Sequence, residues 1–345
     1  MKYEKFGVVD HEHFTIELRP TTKCNYNCYY CTDLHINSNP VYDINQDAIV
    51  ELVKSAKYNT KKPIHIYICG GEPTLYSKLE SLVICLSQEL TTPDYITIQT
   101  NLSKPLKWLK KFTHALKNNN LKIKLNCSYH NTQETNILGY IGKCLFLKSV
   151  SMLGVVSLAF NQRKDVVTDY EKMVEMIGEA YCEIVPLINA SVDQDPKKGN
   201  NSDHDIDHIN NLFKESELEP TGHFFRRTLP YTLGNVEDTV SRNEMWLTRR
   251  NNFMGYKCDV SKNKLYVDWD GNCYSCFNYQ FAEKPPLFHI SMTDKFDNYF
   301  SNINCIDCPF KTCFFDLEYL KTYQDKEIDM LPIDRKFNTN EHRSA

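Results

Sequence analysis

Two hydrophobic periods take turns along the first half of the chain. Phe14–Arg19 alternates apolar and polar residues and stops at Pro20, the pattern of a half-buried strand. Asp43–Lys57 then carries Ile44, Ala48, Ile49, Leu52 and Val53 at helical spacing, with Asp43 placed as its N-cap. The pair recurs. Strands are expected at Ile64–Cys69, Tyr95–Thr100, Leu121–Ser128, Val155–Phe160 and Cys182–Leu187. Helices are expected at Leu75–Leu90, Pro105–Lys117, Thr132–Ser149 and Asp165–Ala180, with Pro105 suited to a first turn. Strands that alternate with helices of this length imply parallel βαβ units. Six units fit before residue 190, too few to close an eight-fold barrel. The expected fold is α/β: a partial (β/α)6 TIM-like barrel, open on one side.

The pattern breaks after residue 190. Ser191–Asp207 is polar and rich in Asn and Asp, as in a linker or surface loop, and Asp205–Leu218 suits one short helix. Residues 219–250 show no clear period. The resulting division is a core over 1–190, an irregular region over 191–250, a small cysteine-rich domain over 251–333 and a polar tail over 334–345. Within the third, Lys264–Val267 and the residues after Gly271 read as a hairpin turning at Asp270-Gly271.

Composition narrows the class. Of 345 residues 41% are hydrophobic and 24% charged, and the formal net charge is −4, so nothing favours a surface that tracks phosphates. No apolar run approaches the roughly 18 residues of a membrane span. The first residues, Met1-Lys2-Tyr3-Glu4-Lys5, lack the apolar core of a signal peptide. There are 14 cysteines. Most fall in two short-spaced clusters, which without a secretory signal read as metal ligands in a reducing, cytoplasmic compartment.

The first cluster is Cys24, Cys28 and Cys31, spaced Cys-x3-Cys-x2-Cys just beyond the first strand. A loop this compact can present three thiolates to one face of an iron–sulfur cube, whose fourth iron then stays open to a ligand that is not protein. A zinc site completed by Asp33 or His35 is the alternative. Downstream, Gly70-Gly71-Glu72-Pro73-Thr74 follows a predicted strand, at the edge of a parallel sheet where ligands bind. Its glycines allow close backbone approach, and Glu72 can accept from an ammonium group. Asn101, Ser128, His130 and Arg163 stand at the ends of later strands.

The triplet, with aromatic Tyr30 before its last cysteine, resembles the radical S-adenosylmethionine (SAM) superfamily. The resemblance implies that Cys24, Cys28 and Cys31 hold a [4Fe–4S] cluster whose open iron is chelated by SAM. It implies reductive cleavage of SAM to a 5′-deoxyadenosyl radical that takes hydrogen from a substrate, fed by an external one-electron reductant of flavodoxin or ferredoxin type. Gly70, Gly71, Glu72 and Pro73 match the family's SAM-binding motif. Asn101 and Ser128 stand where the family places further SAM contacts, and Arg163 could pair with the SAM carboxylate.

The second cluster is Cys258, Cys273, Cys276, Cys305, Cys308 and Cys313. Cys258, Gly271 and Cys276 resemble the opening of the SPASM/twitch extension of radical SAM enzymes. With Cys305 and Cys308 they imply four ligands for one auxiliary [4Fe–4S] cluster. The full seven-cysteine pattern is not met, which leaves Cys273 and Cys313 as spare thiols, additional metal ligands or remnants of a second cluster site. The rival is a structural zinc ribbon from Cys273-x2-Cys276 and Cys305-x2-Cys308.

The expected function is hydrogen abstraction from a peptide or small-molecule substrate, followed by oxidation or cross-linking with the auxiliary cluster. The alternatives are a redox-neutral radical SAM enzyme with a zinc ribbon and a non-enzymatic metal-binding protein. Because barrel is expected from near residue 14, no N-terminal leader-binding domain is expected, which disfavours a leader-dependent peptide maturase.

Overall fold

The structure, a computed structural model, describes residues 4–6, 12–28, 31, 43–117, 121–160, 165–186, 228–233, 236–241, 257–281, 285–304, 306–308 and 320–321. A short strand β1 (Glu4–Phe6) precedes the repeating part of the chain. That part runs β2 (Phe14–Leu18), α1 (Gln46–Thr60), β3 (Ile64–Ile68), α2 (Leu79–Glu89), β4 (Tyr95–Thr100), α3 (Leu106–Leu116), β5 (Lys122–Tyr129), α4 (Ile137–Ser149), β6 (Leu153–Phe160), α5 (Asp165–Ile177) and β7 (Cys182–Pro186). Strands β2 to β7 are neighbours in that order and all parallel, and the sheet stays open, as a partial barrel does.

The two faces of the sheet differ as the alternation predicts. Phe14, Ile16, Leu18, Ile64, Ile66, Ile68, Ile96, Ile98, Leu125 and Leu158 form one buried face. They share a single core with Leu52, Val53, Leu82, Leu109 and Ile141 of the helices. The other residues of each strand, among them Thr15, Glu17, His65, Tyr67, Gln99 and Ser128, face the concave side and are partly exposed.

Element boundaries shift where local chemistry overrides periodicity. The second helix is preceded by a 3-10 turn over Pro73–Leu75 and starts at Leu79, because Glu72 and Pro73 cap that turn first. The fourth begins at Ile137, after Asn136 Oδ1 accepts from Gly139 N at 2.9 Å. Asn45 caps α1, since it directly precedes the first turn and its Oδ1 accepts from Asp47 N at 2.9 Å. Asp43 lies too far out to do so.

Residues 219–250, unassigned from sequence, contain β8 (Thr228–Leu233) and β9 (Val236–Ser241), an antiparallel pair joined by β1. Further on come β10 (Lys257–Cys258), α6 (Val260–Asn263), β11 (Lys264–Val267), β12 (Asn272–Tyr274), α7 (Phe277–Phe281), β13 (Phe288–His289), α8 (Phe296–Ser301), β14 (Ile306–Asp307) and β15 (Leu320–Lys321). The expected hairpin is β11–β12, with Gly271 at φ +85° where an added Cβ would lie 2.7 Å from His289 Nε2. Strand β11 also runs parallel to β2, from Lys264 opposite Thr15 to Val267 opposite Leu18, so the hairpin and β13 extend the barrel sheet. Helix α8 is tied to α1 by Ser55 and Asn59, which donate to Asp297 Oδ1. The expected helix over Asp205–Leu218 lies outside the described residues.

Asp94, 4% exposed, staples the bottom of the sheet. Its carboxylate accepts from Ile64 N at 2.7 Å, Thr91 N at 2.8 Å and Lys57 Nζ at 2.6 Å. Removing it leaves the Ile64 and Thr91 N–H groups without this acceptor and takes the counter-charge from Lys57, which keeps Glu89 O and Thr91 Oγ1. Asp94→Ala is expected to cost about 3 kcal/mol, read as a lower urea midpoint with unchanged slope. A loss under about 1 kcal/mol would mean the pair is solvated and inert.

Candidate functional site

Strand β2 delivers the chain to the mouth of the sheet, where the cysteine loop has to be held by neighbours. Thr21 bridges to Asp43 across the loop. Thr21 Oγ1 donates to Asp43 Oδ1 at 2.6 Å and Lys23 Nζ to Asp43 Oδ2 at 2.8 Å. Asp43 therefore serves the loop instead of the helix. Cys24, Cys28 and Cys31 follow at half-buried positions. Tyr26 N donates to Cys24 Sγ at 3.4 Å, and Cys31 N to Cys28 O at 3.0 Å. Tyr30 lies outside the described residues.

The turn after β3 packs onto this loop. Gly70 sits at φ +108°, a conformation that L side chains rarely adopt. Gly71 lies so close to Lys23 that an added Cβ would fall 2.2 Å from its carbonyl oxygen. Gly71 N donates to Thr21 O at 3.3 Å and Glu72 N to Lys23 O at 2.7 Å. The two motifs found separately in the sequence thus form one backbone assembly.

Glu72 is 1% exposed, and its carboxylate is engaged by the chain itself. Oε1 accepts from Thr74 N at 3.1 Å, Thr74 Oγ1 at 2.6 Å and Thr100 Oγ1 at 2.7 Å. Oε2 accepts from Asn101 N at 2.7 Å. Pro73 is the first residue of the 3-10 turn that Glu72 caps. Glu72 thereby ties the ends of β3 and β4 together.

Asn101 is 6% exposed and donates Nδ2–H to Asn25 Oδ1 at 3.1 Å, reaching into the cysteine loop. Ser128 accepts from Gln99 Nε2, and Gln99 Oε1 accepts from Tyr67 OH at 2.8 Å. This makes a polar row across β3, β4 and β5. His130 is pushed down to about 4 by burial and lies edge-on to Tyr26, 6.0 Å away. Burial, then the charges of Glu134, Glu72, Cys28 and Cys24, raise the Tyr26 phenol. Arg163 lies outside the described residues.

The concave face holds groups that the sequence reading passed over. Lys264 Nζ reaches Glu17 Oε2 at 2.8 Å, and Cys69 Sγ donates to Glu17 Oε1 at 3.4 Å. The Arg19 guanidinium stands 5.1 Å from the Tyr266 ring and 4.8 Å from the Phe277 ring. His65 lies between Thr15 and Thr97, with Nε2 3.0 Å from Thr97 Oγ1, and stacks on Tyr95 at 4.1 Å. Burial, then the positive charges of His13 and Lys264, push it down to about 3. The signal available was the second register of each strand: Thr15 and Glu17, His65 and Tyr67, Thr97 and Gln99.

Among the C-terminal cysteines the structure separates two environments. Cys258, Cys276 and Cys308 are buried, and all three charges act on the Tyr279 phenol, which burial and then Cys276, Cys308 and Cys258 raise. Cys258 lies opposite Ile306 across β10–β14, two residues before Cys308. Cys273 pairs with Phe288 across β12–β13 and lies in the main hydrophobic core. Burial, then Asp270, raises its thiol. Cys305 and Cys313 lie outside the described residues.

Among the described residues no three His, Cys, Asp or Glu side chains close around a single bare ion. Three half-buried thiols on one loop, beside glycine backbone at a sheet mouth, are a donor set that fits a larger iron–sulfur group with one open corner.

Residues 18–134, which span the triplet, the Gly-Gly-Glu turn and Asn101, match the Radical SAM superfamily. The match covers 117 of the chain's 345 residues, from Leu18 to Glu134. No curated protein matches the chain. Among solved structures, anSMEcpe with bound AdoMet is 17% identical, with 85% of this chain and 81% of that one covered and a TM-score of 0.52. Native anSMEcpe with AdoMet and the Kp18Cys peptide is also 17% identical, covering the same shares at a TM-score of 0.53. Streptococcus suis SuiB bound to its precursor peptide SuiA is 12% identical at a TM-score of 0.53, covering 83% of this chain and 65% of that one. At these identities the likeness is one of fold. No described helix is long and apolar enough to cross a membrane.

The histidines of the concave face give a pH prediction. His65 in the fold refuses a proton that the unfolded chain accepts below about 6.5. The unfolded state therefore gains protons first, and stability falls as pH drops from about 6.5 towards the folded value. The slope reaches ~1.4 kcal/mol per pH unit for each such group. Urea unfolding at pH 7 and pH 5 should show this loss, and His65→Gln should flatten it. Equal stability at both pH values would mean that the ring protonates freely in the fold.

Proposed function

We propose that the chain is a radical SAM enzyme in which Cys24, Cys28 and Cys31 hold a [4Fe–4S] cluster and Gly70, Gly71 and Pro73 shape the SAM site. The observation that carries this reading is the fusion of the two motifs, with Lys23 O accepting from Glu72 N at 2.7 Å one residue before Cys24. Such a cluster, reduced by a flavodoxin- or ferredoxin-type donor, supplies the electron that cleaves SAM and so starts hydrogen abstraction. The chain's part is to hold three thiolates, leave one corner open, and exclude water from the mouth with buried Thr22, Glu72 and Asn101. Glu72 acts through the turn, its lone pairs being filled by Thr74, Thr100 and Asn101. Asn101, Ser128 and Arg163 complete the set assigned to SAM.

The substrate binds on the concave face, against Glu17, Lys264, Gln99 and Ser128. A peptide is favoured, because neighbours of the same fold hold peptides. Cys258, Cys276, Cys305 and Cys308 form an auxiliary [4Fe–4S] site, supported by the convergence of three of them on Tyr279. Cys273, seated in the apolar core, lies apart from that set. Such an auxiliary cluster would be able to accept one electron from the substrate radical, which would make the net reaction an oxidation or a cross-link. The enzyme works in a reducing cytoplasm, where clustered thiols stay available.

Metal analysis after anaerobic reconstitution is the test. About eight irons and no zinc per chain are expected for two four-iron clusters, with Cys28→Ala losing about half the iron and all SAM cleavage. About four irons with one zinc would turn the C-terminal site into a structural ribbon. SAM cleavage that persists in Cys28→Ala would overturn the assignment.

A further inference from the structure

We propose that Asn25 and Asn101 form a clamp that presets the cysteine loop for its iron–sulfur group. Asn25 is a positioning residue, Asn101 acts as one in addition to the SAM contact assigned to it, and the inference rests on the reading of the triplet given above. Asn25 lies between Cys24 and Cys28, and its Oδ1 accepts two hydrogen bonds, from Asn101 Nδ2 at 3.1 Å and from Ser103 Oγ at 3.1 Å. Its two donors come from the turn that ends β4, a different element from the loop it holds.

That turn is built to aim them. Asn101 N donates to Glu72 Oε2 at 2.7 Å, and Asn101 Oδ1 accepts from Ser103 N at 3.0 Å, which leaves Nδ2 directed at Asn25. Leu102, next in line, is 1% exposed and sits at φ +53°, a left-handed conformation that a branched side chain rarely takes. It is bonded on both sides, its N–H donating to Thr100 Oγ1 at 3.1 Å and its carbonyl accepting from Lys143 Nζ at 2.6 Å. Backbone held this way against its preference marks a turn whose shape is used. Asn101 thus couples the Gly-Gly-Glu turn and the iron loop through one residue, its N–H serving the first and its side chain the second. A weaker hold lies two residues on, where the Gln133 amide meets the Asn27 N–H and C=O at 3.5 Å each.

The chemistry of the clamp gives it a discriminating test. Oδ1 of Asn25 acts only as an acceptor, so Asn25→Asp keeps both bonds and Asn25→Ala loses both. Asn101→Asp puts an acceptor against an acceptor and breaks the bridge. Full-length protein reconstituted with ferrous iron and sulfide would be challenged with a ferrous chelator, and the iron absent from Cys28→Ala counted as triplet iron. Release of that iron is expected ~5–10-fold faster in Asn25→Ala, the effect of one or two net hydrogen bonds. It should stay within about 2-fold of wild type in Asn25→Asp. Asn101→Asp leaves the Ser103 bond to Asn25 and should fall between wild type and Asn25→Ala, and the double variant should be no faster than Asn25→Ala, as for two ends of one contact. Asn25 is exposed, so melting midpoints should stay close to wild type. Wild-type release in Asn25→Ala, or additive effects in the double variant, would overturn the clamp. Equal iron in wild type and Cys28→Ala would instead overturn the reading of the triplet.

Discussion

The close approach of Gly71 to Lys23 is the constraint on which the rest of the site depends. A loop that must present three thiols cannot spend its length on regular structure, so its backbone groups need partners from elsewhere. The Gly-Gly-Glu turn supplies them: Thr21 O and Lys23 O accept from Gly71 N and Glu72 N. Any side chain at position 71 would push on the Lys23 carbonyl, one residue before Cys24. Glu72 extends the same constraint one strand further. By accepting from Thr100 and Asn101 it fixes β4 against β3 at the mouth. A buried carboxylate with four donors is held by the surrounding chain, and it holds that chain in return.

The sheet shows how one alternation serves two tasks. The residues that make the strands cohere with their helices occupy one register, from Phe14 to Leu158, and are fully buried. The other register carries acids, amides, hydroxyls and a lysine. Those groups pair with one another, Glu17 with Lys264, Tyr67 with Gln99 and Ser157 with Glu183. Such pairing lets a polar surface sit in a half-enclosed space without leaving charges uncompensated. Strand β11 matters here, because Lys264 comes from the C-terminal part of the chain and pairs with a residue of the first barrel strand.

The parallel βαβ order, the open sheet and the turn at Gly271 were legible because each depends on local spacing. The cysteine triplet and Gly70–Glu72 were legible as motifs, but their mutual contact was not, since nothing in a linear spacing measures how closely Gly71 approaches the Lys23 carbonyl. Asp43 was misread for a related reason. Its position before a helix suggested a cap, while Asn45 lies nearer the first turn and Asp43 is drawn to Thr21 and Lys23. The β8–β9 pair was missed although Gly234-Asn235 separates two β-rich runs, because residues 219–250 show no clear period. The joining of β11 to β2 was hidden as well, for a parallel pairing across some 250 residues leaves no periodic trace.

The C-terminal cysteines show how a hairpin sorts thiols that look equivalent in sequence. Cys273 and Cys276 stand three residues apart, the spacing of a metal knuckle. Cys273 lies within β12, opposite Phe288, and its register turns it into the apolar core. Cys276 lies just beyond the strand, where the chain turns into α7 and Tyr279 N donates to Cys276 O at 3.2 Å. Leaving the strand frees Cys276 from the alternation, so it can share Tyr279 with Cys258 and Cys308. Cys258 arrives on β10, which pairs with β14 directly before Cys308. Two separate ladders thus carry Cys258 and Cys276 on different elements, while Cys273, nearer in sequence to Cys276, is committed to packing. Position relative to the strand end, more than spacing between cysteines, decides which thiol enters the apolar core.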